Sequence, residues 1–183
     1  MKIKMKPRHL RTTAKQKVIF LPWTAVDASV KRFKVHLRKM DATSADSLVA
    51  LVRGGLVLSV CLSHAIGVRT VKGFQAMKTA SDNPHDYKKI SIMQAVKVKA
   101  GEKVIIVEDI IFEGATVSAA IEHVWKKGAK VVAVCALIVD KKFMRKGRLP
   151  HDVPLLAAYW CDHLKWIRFP WEQSLRGEKI PKI

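Results

Sequence analysis

Val104-Ile105-Ile106-Val107-Glu108-Asp109-Ile110-Ile111-Phe112-Glu113-Gly114-Ala115-Thr116 is the stretch whose reading decides the fold. Its spacing predicts a buried strand over 104–107, two adjacent carboxylates, a Gly-containing turn, and an amphipathic helix from Ala115. Backbone N–H groups at such a turn and at a helix N-terminus attract phosphate. Adjacent carboxylates accept hydrogen bonds from hydroxyls. A segment offering both suits a phosphorylated sugar.

Working outward, the helix is well marked. Val117, Ala120, Ile121, Val124 and Trp125 recur at helical spacing, which predicts Trp125 in the core, and Gly128 stands at the expected stop. Lys130–Val139 and Leu155–Tyr159 read as further strands. Upstream, Ser47–Val52 reads as a buried strand that Arg53-Gly54-Gly55 turns into an apolar helix ending at Gly67. Strands follow around 69–75 and near 90–96, with a turn at 99–102. Residues 77–89 are polar, contain Pro84 and have no period, so they predict a long loop of the kind that covers a site or is disordered. Strands alternating with helices predict an α/β fold built on a mainly parallel, twisted sheet flanked by helices.

From Thr24 to Met40, apolar residues trace one helical face and Lys31, Arg32, Lys34, Arg38 and Lys39 fill the rest. Thr24, with Asp27 three positions on, is the expected N-cap. Residues 1–17 carry seven Lys or Arg and no acid, and read as a flexible basic arm. Residues 18–183 read as a single domain.

The chain has 183 residues, 49% hydrophobic and 27% charged, values of a globular protein. No uncharged apolar run approaches the ~18 residues of a membrane span, and the basic N-terminus lacks the apolar core of a secretory signal. Cys61, Cys135 and Cys161 are odd in number and widely spaced, so they read as reduced core thiols in a cytoplasmic protein. Thirty-four Lys and Arg against fifteen Asp and Glu give a net charge of +19. Such a balance points to a polyanionic partner or to attraction for phosphates, the alternative being a basic host proteome or a solubility bias.

Two turns at strand ends carry the chemistry, because ligands of open parallel sheets bind beyond the carboxyl ends of strands. The Glu-Asp segment resembles the phosphoribosyl diphosphate (PRPP) signature of type I phosphoribosyltransferases. Arg53-Gly54-Gly55-Leu56-Val57, with Leu62 and Gly67-Val68-Arg69, is similar to the diphosphate loop and following helix of bacterial xanthine–guanine phosphoribosyltransferases. The tail Trp166-Ile167, with Pro170-Trp171, resembles the hood of that family, here near 150–172. The resemblance spans roughly residues 20 to 172.

The resemblance implies roles. Glu108 and Asp109 would bind the ribose hydroxyls, directly or through Mg²⁺. Gly114, Ala115 and Thr116 would cradle the 5′-phosphate. Arg53 and Gly54 would take the diphosphate. Lys141 or Lys142 would meet the base, with Phe112, Trp166 and Ile167 around it. Loop 77–89 would close over the site, with Tyr87 as its gate. The implied reaction is transfer of phosphoribosyl from PRPP to a purine-type acceptor, in a homodimer or tetramer.

Two positions depart from the family. Phe112 stands where Asp is usual and cannot accept a proton. Glu113 stands where a small hydroxyl residue is usual. A carboxylate about 4 Å from a phosphate repels it by roughly 4 kcal/mol at an effective dielectric near 20, against at most about 2 kcal/mol returned by the helix dipole. Three readings stay open. Glu113 takes over acid–base work in an enzyme with an altered acceptor; Glu113 fills the cradle of a catalytically silent protein; or the ligand lacks a terminal 5′-phosphate. Relatives with this fold include regulators that bind RNA or DNA, so a silent protein that binds nucleic acid or nucleotides through the arm and helix 24–40 is the alternative function. His64 and His123 read as structural, His85 as solvated, and no His/Cys spacing suggests a zinc site.

Overall fold

The computed structural model describes residues 5–9, 18–78, 90–146, 148–161 and 166–175. Strands β1 (Arg8–His9), β2 (Val18–Phe20), β3 (Ser47–Leu51), β4 (Val71–Lys78), β5 (Ile90–Gln94), β6 (Lys103–Ile111), β7 (Lys130–Asp140), β8 (Leu155–Cys161) and β9 (Trp166–Arg168) are joined by four helices. These are α1 (Trp23–Lys39), α2 (Gly55–Ile66), α3 (Ala115–Lys126) and α4 (Lys141–Lys146). Seven strands form one sheet in the order β1-β8-β7-β6-β3-β4-β5, and β2 pairs with β9 in a separate two-stranded sheet. Every pairing is parallel except β4 with β5. The expected α/β class and mainly parallel sheet are what the chain forms.

Period-2 alternation explains the layering. Leu48, Ile105, Val107, Cys135 and Leu156 pack against Val26, Phe33 and Leu37 of α1 and Leu58 and Leu62 of α2. Their neighbours Val49, Ile106, Val134, Ala136 and Ala157 pack on the opposite face against Val117, Ile121 and Val124 of α3. Central strands buried on both faces must be apolar throughout, which is why β3 and β7 read as continuous hydrophobic runs. Burying a Leu or Ile side chain contributes about 1.5–3 kcal/mol.

Several local expectations are corrected. Strand β6 does not end at Val107 but carries Glu108 and Asp109 within it, because the long β7 supplies partners as far as Ile111, paired with Val139. Strand β4 takes in Met77 and Lys78, both expected in the loop, and residues 79–89, with Tyr87 and His85, lie outside the described residues. Thr24 does not cap α1. Pro22 holds the N-cap, and its carbonyl accepts from the N–H groups of Ala25 (3.0 Å) and Val26 (3.3 Å), leaving Thr24 and Asp27 exposed. Trp125 is 40% exposed and stacks on His151, ring centroids 4.0 Å apart. Eight residues turn a helix about 80° past full turns, which carries Trp125 off the buried stripe that begins at Val117.

Part of the segment expected to form a free arm is docked. Met5 is 4% exposed, and β1 lies parallel to β8 with Arg8 opposite Tyr159 and His9 opposite Trp160. Cys135 and Cys161 are buried and Cys61 is half-buried. No described helix is long and apolar enough to cross a membrane.

Candidate functional site

Strands β3 and β6 lie side by side with Ala50 opposite Val107, and β6 runs on to Ile111, so the first of the two turns that follow them meets β6 at its acidic residues. The first begins after Leu51 and runs through Arg53 and Gly54 into α2; its Val52–Arg53 peptide is cis. Arg53 is exposed. Gly54 has no room for a side chain, because a Cβ there would overlap the Asp109 carboxylate. A Cβ on Gly55 would overlap the Val107 carbonyl oxygen and lie 3.2 Å from Glu108 Cα. Two glycines thus let the first turn of α2 press directly onto the acidic part of β6.

The acids themselves are crowded. Glu108 Oε1 accepts from the Asp109 N–H at 3.0 Å. Burial, reinforced by the neighbouring Asp109 charge, pushes the Glu108 carboxyl well above the usual carboxylate range. Burial also raises Asp109; its hydrogen bonds to Glu108 and to the Ile110 N–H oppose that rise, and the charge of Glu172 adds to it. A hydrogen bond between the two carboxyls raises Glu108 and lowers Asp109. A cation arriving here favours the charged form of both and opposes the effect of burial.

The second turn builds the cradle. Gly114, in the left-handed region at φ 77°, is the N-cap of α3. The first N–H groups of a helix have no partner within it, so those of Ala115 and Thr116 are available to an anion. A cleft of about 110 Å³ opens here, lined by Glu108, Ile110, Ile111 and residues 112–117. Phe112 is 39% exposed and Glu113 is exposed. Beneath the turn, the ring of Phe143 sits where a Gly114 side chain would project, its Cζ 2.9 Å from that position. Phe143 belongs to α4, so the loop after β7 supplies the floor of the loop after β6.

The base-side residues are more dispersed. Lys141 follows β7 directly, and its Nζ lies 5.2 Å from the centre of the Trp160 ring. Lys142 is exposed, and its N–H donates to Oδ1 of the buried Asp140 at 2.7 Å. Ile167 is 7% exposed and packs into the core with Phe169, so its side chain does not line the cleft. The backbone of Trp166 pairs with Val18 in the β2–β9 sheet. Trp171 stacks on Phe169 at 4.9 Å and tilts against Trp23 at 5.9 Å, forming a small aromatic core.

Gly54 and Asp109 therefore meet, and Glu108 shares a cleft with residues 112–116, while Arg53 is exposed and Ile167 turns away. Sequence reasoning missed Phe143 and Glu172. Phe143 carries no local signal, since only the β6–β7 pairing brings it beneath Gly114. Glu172 accepts from the Phe169 N–H at 2.9 Å and faces Asp109 from the hood, a placement that needs the tail folded back over the sheet. His123 is structural as expected: its Nε2 lies 3.0 Å from the Val96 carbonyl. Among the described residues no group of three or more His, Cys, Asp or Glu could hold a metal. Two carboxylate side chains nonetheless fit Mg²⁺, which keeps several waters and takes its remaining oxygens from substrate.

Comparison with known proteins agrees with this geometry. A family model for the phosphoribosyl transferase domain matches residues 22–175. The chain is 26% identical over 141 residues to the transcriptional regulator GfcR of Methanospirillum hungatei, covering 72% of this chain and 69% of the regulator. It is 31% identical over 121 residues to orotate phosphoribosyltransferase of a Sulfurovum species, covering 61% of this chain and 55% of that enzyme. The crystal structure of purine phosphoribosyltransferase from Pyrococcus horikoshii superposes with a TM-score of 0.66 at 25% identity, covering 92% of this chain and 98% of that one.

Proposed function

Since the chain belongs to the phosphoribosyl transferase family and has the type I fold, we propose that it transfers a phosphoribosyl group from PRPP to a purine-type acceptor. The observation that carries this reading is the seating of the Arg53-Gly54 turn against Asp109, next in sequence to Glu108, which lines one cleft with the α3 N-terminus. A diphosphate, a pair of ribose hydroxyls and a 5′-phosphate need those three groups in that order. The similarity to a purine enzyme along nearly its whole length favours a purine over orotate.

In this reading Arg53 and the backbone of Gly54 hold the diphosphate, and Glu108 and Asp109 accept from the ribose hydroxyls. Gly114, Ala115 and Thr116 direct N–H groups at the 5′-phosphate. Phe112 and Lys141 flank the base, with Trp166 nearby in the hood. The bond from C1′ to the diphosphate oxygen breaks as a bond from C1′ to a base nitrogen forms. The proton leaving the base goes to Glu113, which stands in for the acid absent at Phe112. Developing positive charge on the ribose is favoured by the carboxylates beneath it. Glu108 and Asp109 would hold Mg²⁺, through water or directly, and bound Mg²⁺ supplies charge neutralisation for the departing diphosphate.

Calorimetric titration of PRPP with Mg²⁺ into the protein tests this. Micromolar binding that Asp109→Asn abolishes is expected. No binding by the intact protein would sink the reading.

A further inference from the structure

One side chain fastens the N-terminal segment to the body. Arg32 of α1 donates from Nη1 to the Ala158 carbonyl of β8 at 3.0 Å and from Nη2 to the Lys6 carbonyl at 2.6 Å. Together with the β1–β8 pairing and the buried Met5, this lays Lys6 and Arg8, both exposed, beside α1. The outer side of α1 exposes Lys31, Arg38 and Lys39, with Lys34 half-exposed. Asp27 is the one acid in that helix.

Among the described residues these six cations make no ion pair, whereas Lys72 elsewhere is bonded to Glu102. Burial, and then the nearby charge of Arg8, lower the pKa of Arg32, so two guanidinium groups are held close without a carboxylate to offset them. Like charges gathered this way repel one another until an anion with several charges arrives. The helix rises about 1.5 Å per residue, so Lys31 to Lys39 extend about 12 Å along it, and β1 widens the strip.

We propose that the docked N-terminal segment and α1 form a surface that binds the phosphodiester backbone of nucleic acid, apart from the cleft. Phosphate contacts of this kind need clustered Lys and Arg but no base-reading groups. A membrane surface fits less well. A helix that lies in a bilayer interface offers its apolar face to lipid, and the apolar face of α1 (Val26, Val30, Phe33, Leu37) is already buried against the sheet.

Fluorescence anisotropy with labelled oligonucleotides tests this, using single-stranded RNA, single-stranded DNA and duplex DNA as separate arms. Affinity should fall linearly with the logarithm of KCl concentration, at a slope of about −3 to −5 for four to six phosphates engaged. The variants K31E/R38E/K39E and K6E/R8E should each lose tenfold or more. A control with the same change in net charge as the triple variant, K99E/K127E/K130E, should bind as the parent does. Circular dichroism confirms that each variant is folded. Equal loss in the control, no binding of any arm by the parent at low salt, or capture of phosphatidylserine vesicles in place of oligonucleotides would each overturn the proposal.

Discussion

The Asp109 carboxylate fills the space that a side chain on Gly54 would need. Backbone geometry at Gly54 is ordinary, with φ −57° and ψ −45°, so any residue could adopt it. What the position demands is the absence of a Cβ. The Arg53-Gly54 turn and the acidic strand are in this way set against each other.

Gly54→Ala should therefore destabilise the protein by about 1–3 kcal/mol, the usual cost of overpacking, and abolish PRPP binding. Adding Asp109→Ala should recover the stability and leave binding absent. Urea unfolding of both variants, with PRPP titration, separates the steric effect from the chemical one.

The acidic pair makes stability depend on pH in a stated direction. The folded state holds protons on Glu108 and Asp109 more tightly than the unfolded chain does. Their contribution is fully present below the unfolded carboxylate range and is lost as pH rises through the raised folded values. Each unit of displacement is about 1.4 kcal/mol. Glu108→Gln, which cannot ionise, should flatten the decline above the usual carboxylate range in urea unfolding of the metal-free protein. An unchanged slope would mean the pair is ionised at neutral pH.

Glu113 sits at the mouth of the cradle. Replacing it by Thr removes a charge and supplies a hydroxyl donor, so PRPP should bind tenfold or more tightly, about 1.4 kcal/mol or better. Turnover should fall at the same time if Glu113 receives the proton from the base. Calorimetry read beside an assay of diphosphate release distinguishes the two effects. Unchanged affinity would show that the carboxylate does not face the phosphate.

Gly114→Ala meets two obstacles, the left-handed backbone at φ 77° and the Phe143 ring. Holding Ala in that conformation costs about 1–3 kcal/mol. Trimming Phe143 to Ala in the same chain should relieve the collision without relieving the backbone. The double variant should therefore bind ribose 5-phosphate no better than the single one. Full recovery would assign the whole requirement for glycine to Phe143.

Local pattern carried much of this structure. The period of α3 up to Gly128, the apolar runs of β3 and β7, and the stop of α2 at Gly67 were legible because each is set by neighbours a few residues away. The stretch to Thr116 likewise read as a turn into a helix, which Gly114 and α3 form. What escaped was set at a distance. The continuation of β6 through its acids depends on the length of β7. Phe143 reaches Gly114 only through that same pairing, and Glu172 reaches Asp109 only once the tail has folded back. The docking of the N-terminal segment turns on Arg32 meeting Ala158, residues that no periodicity connects.

Strand β1 joins residue 8 to residue 159, and β2 joins residue 18 to residue 166. The two earliest of the described strands thus pair with the two latest. Closing loops that span almost the whole chain costs entropy that only late contacts repay. Until residues 159 and 160 are in place, β1 has no partner and Lys6 and Arg8 are not held beside α1. A chain cut before β8 would keep its central strands and lose that half of its cationic border.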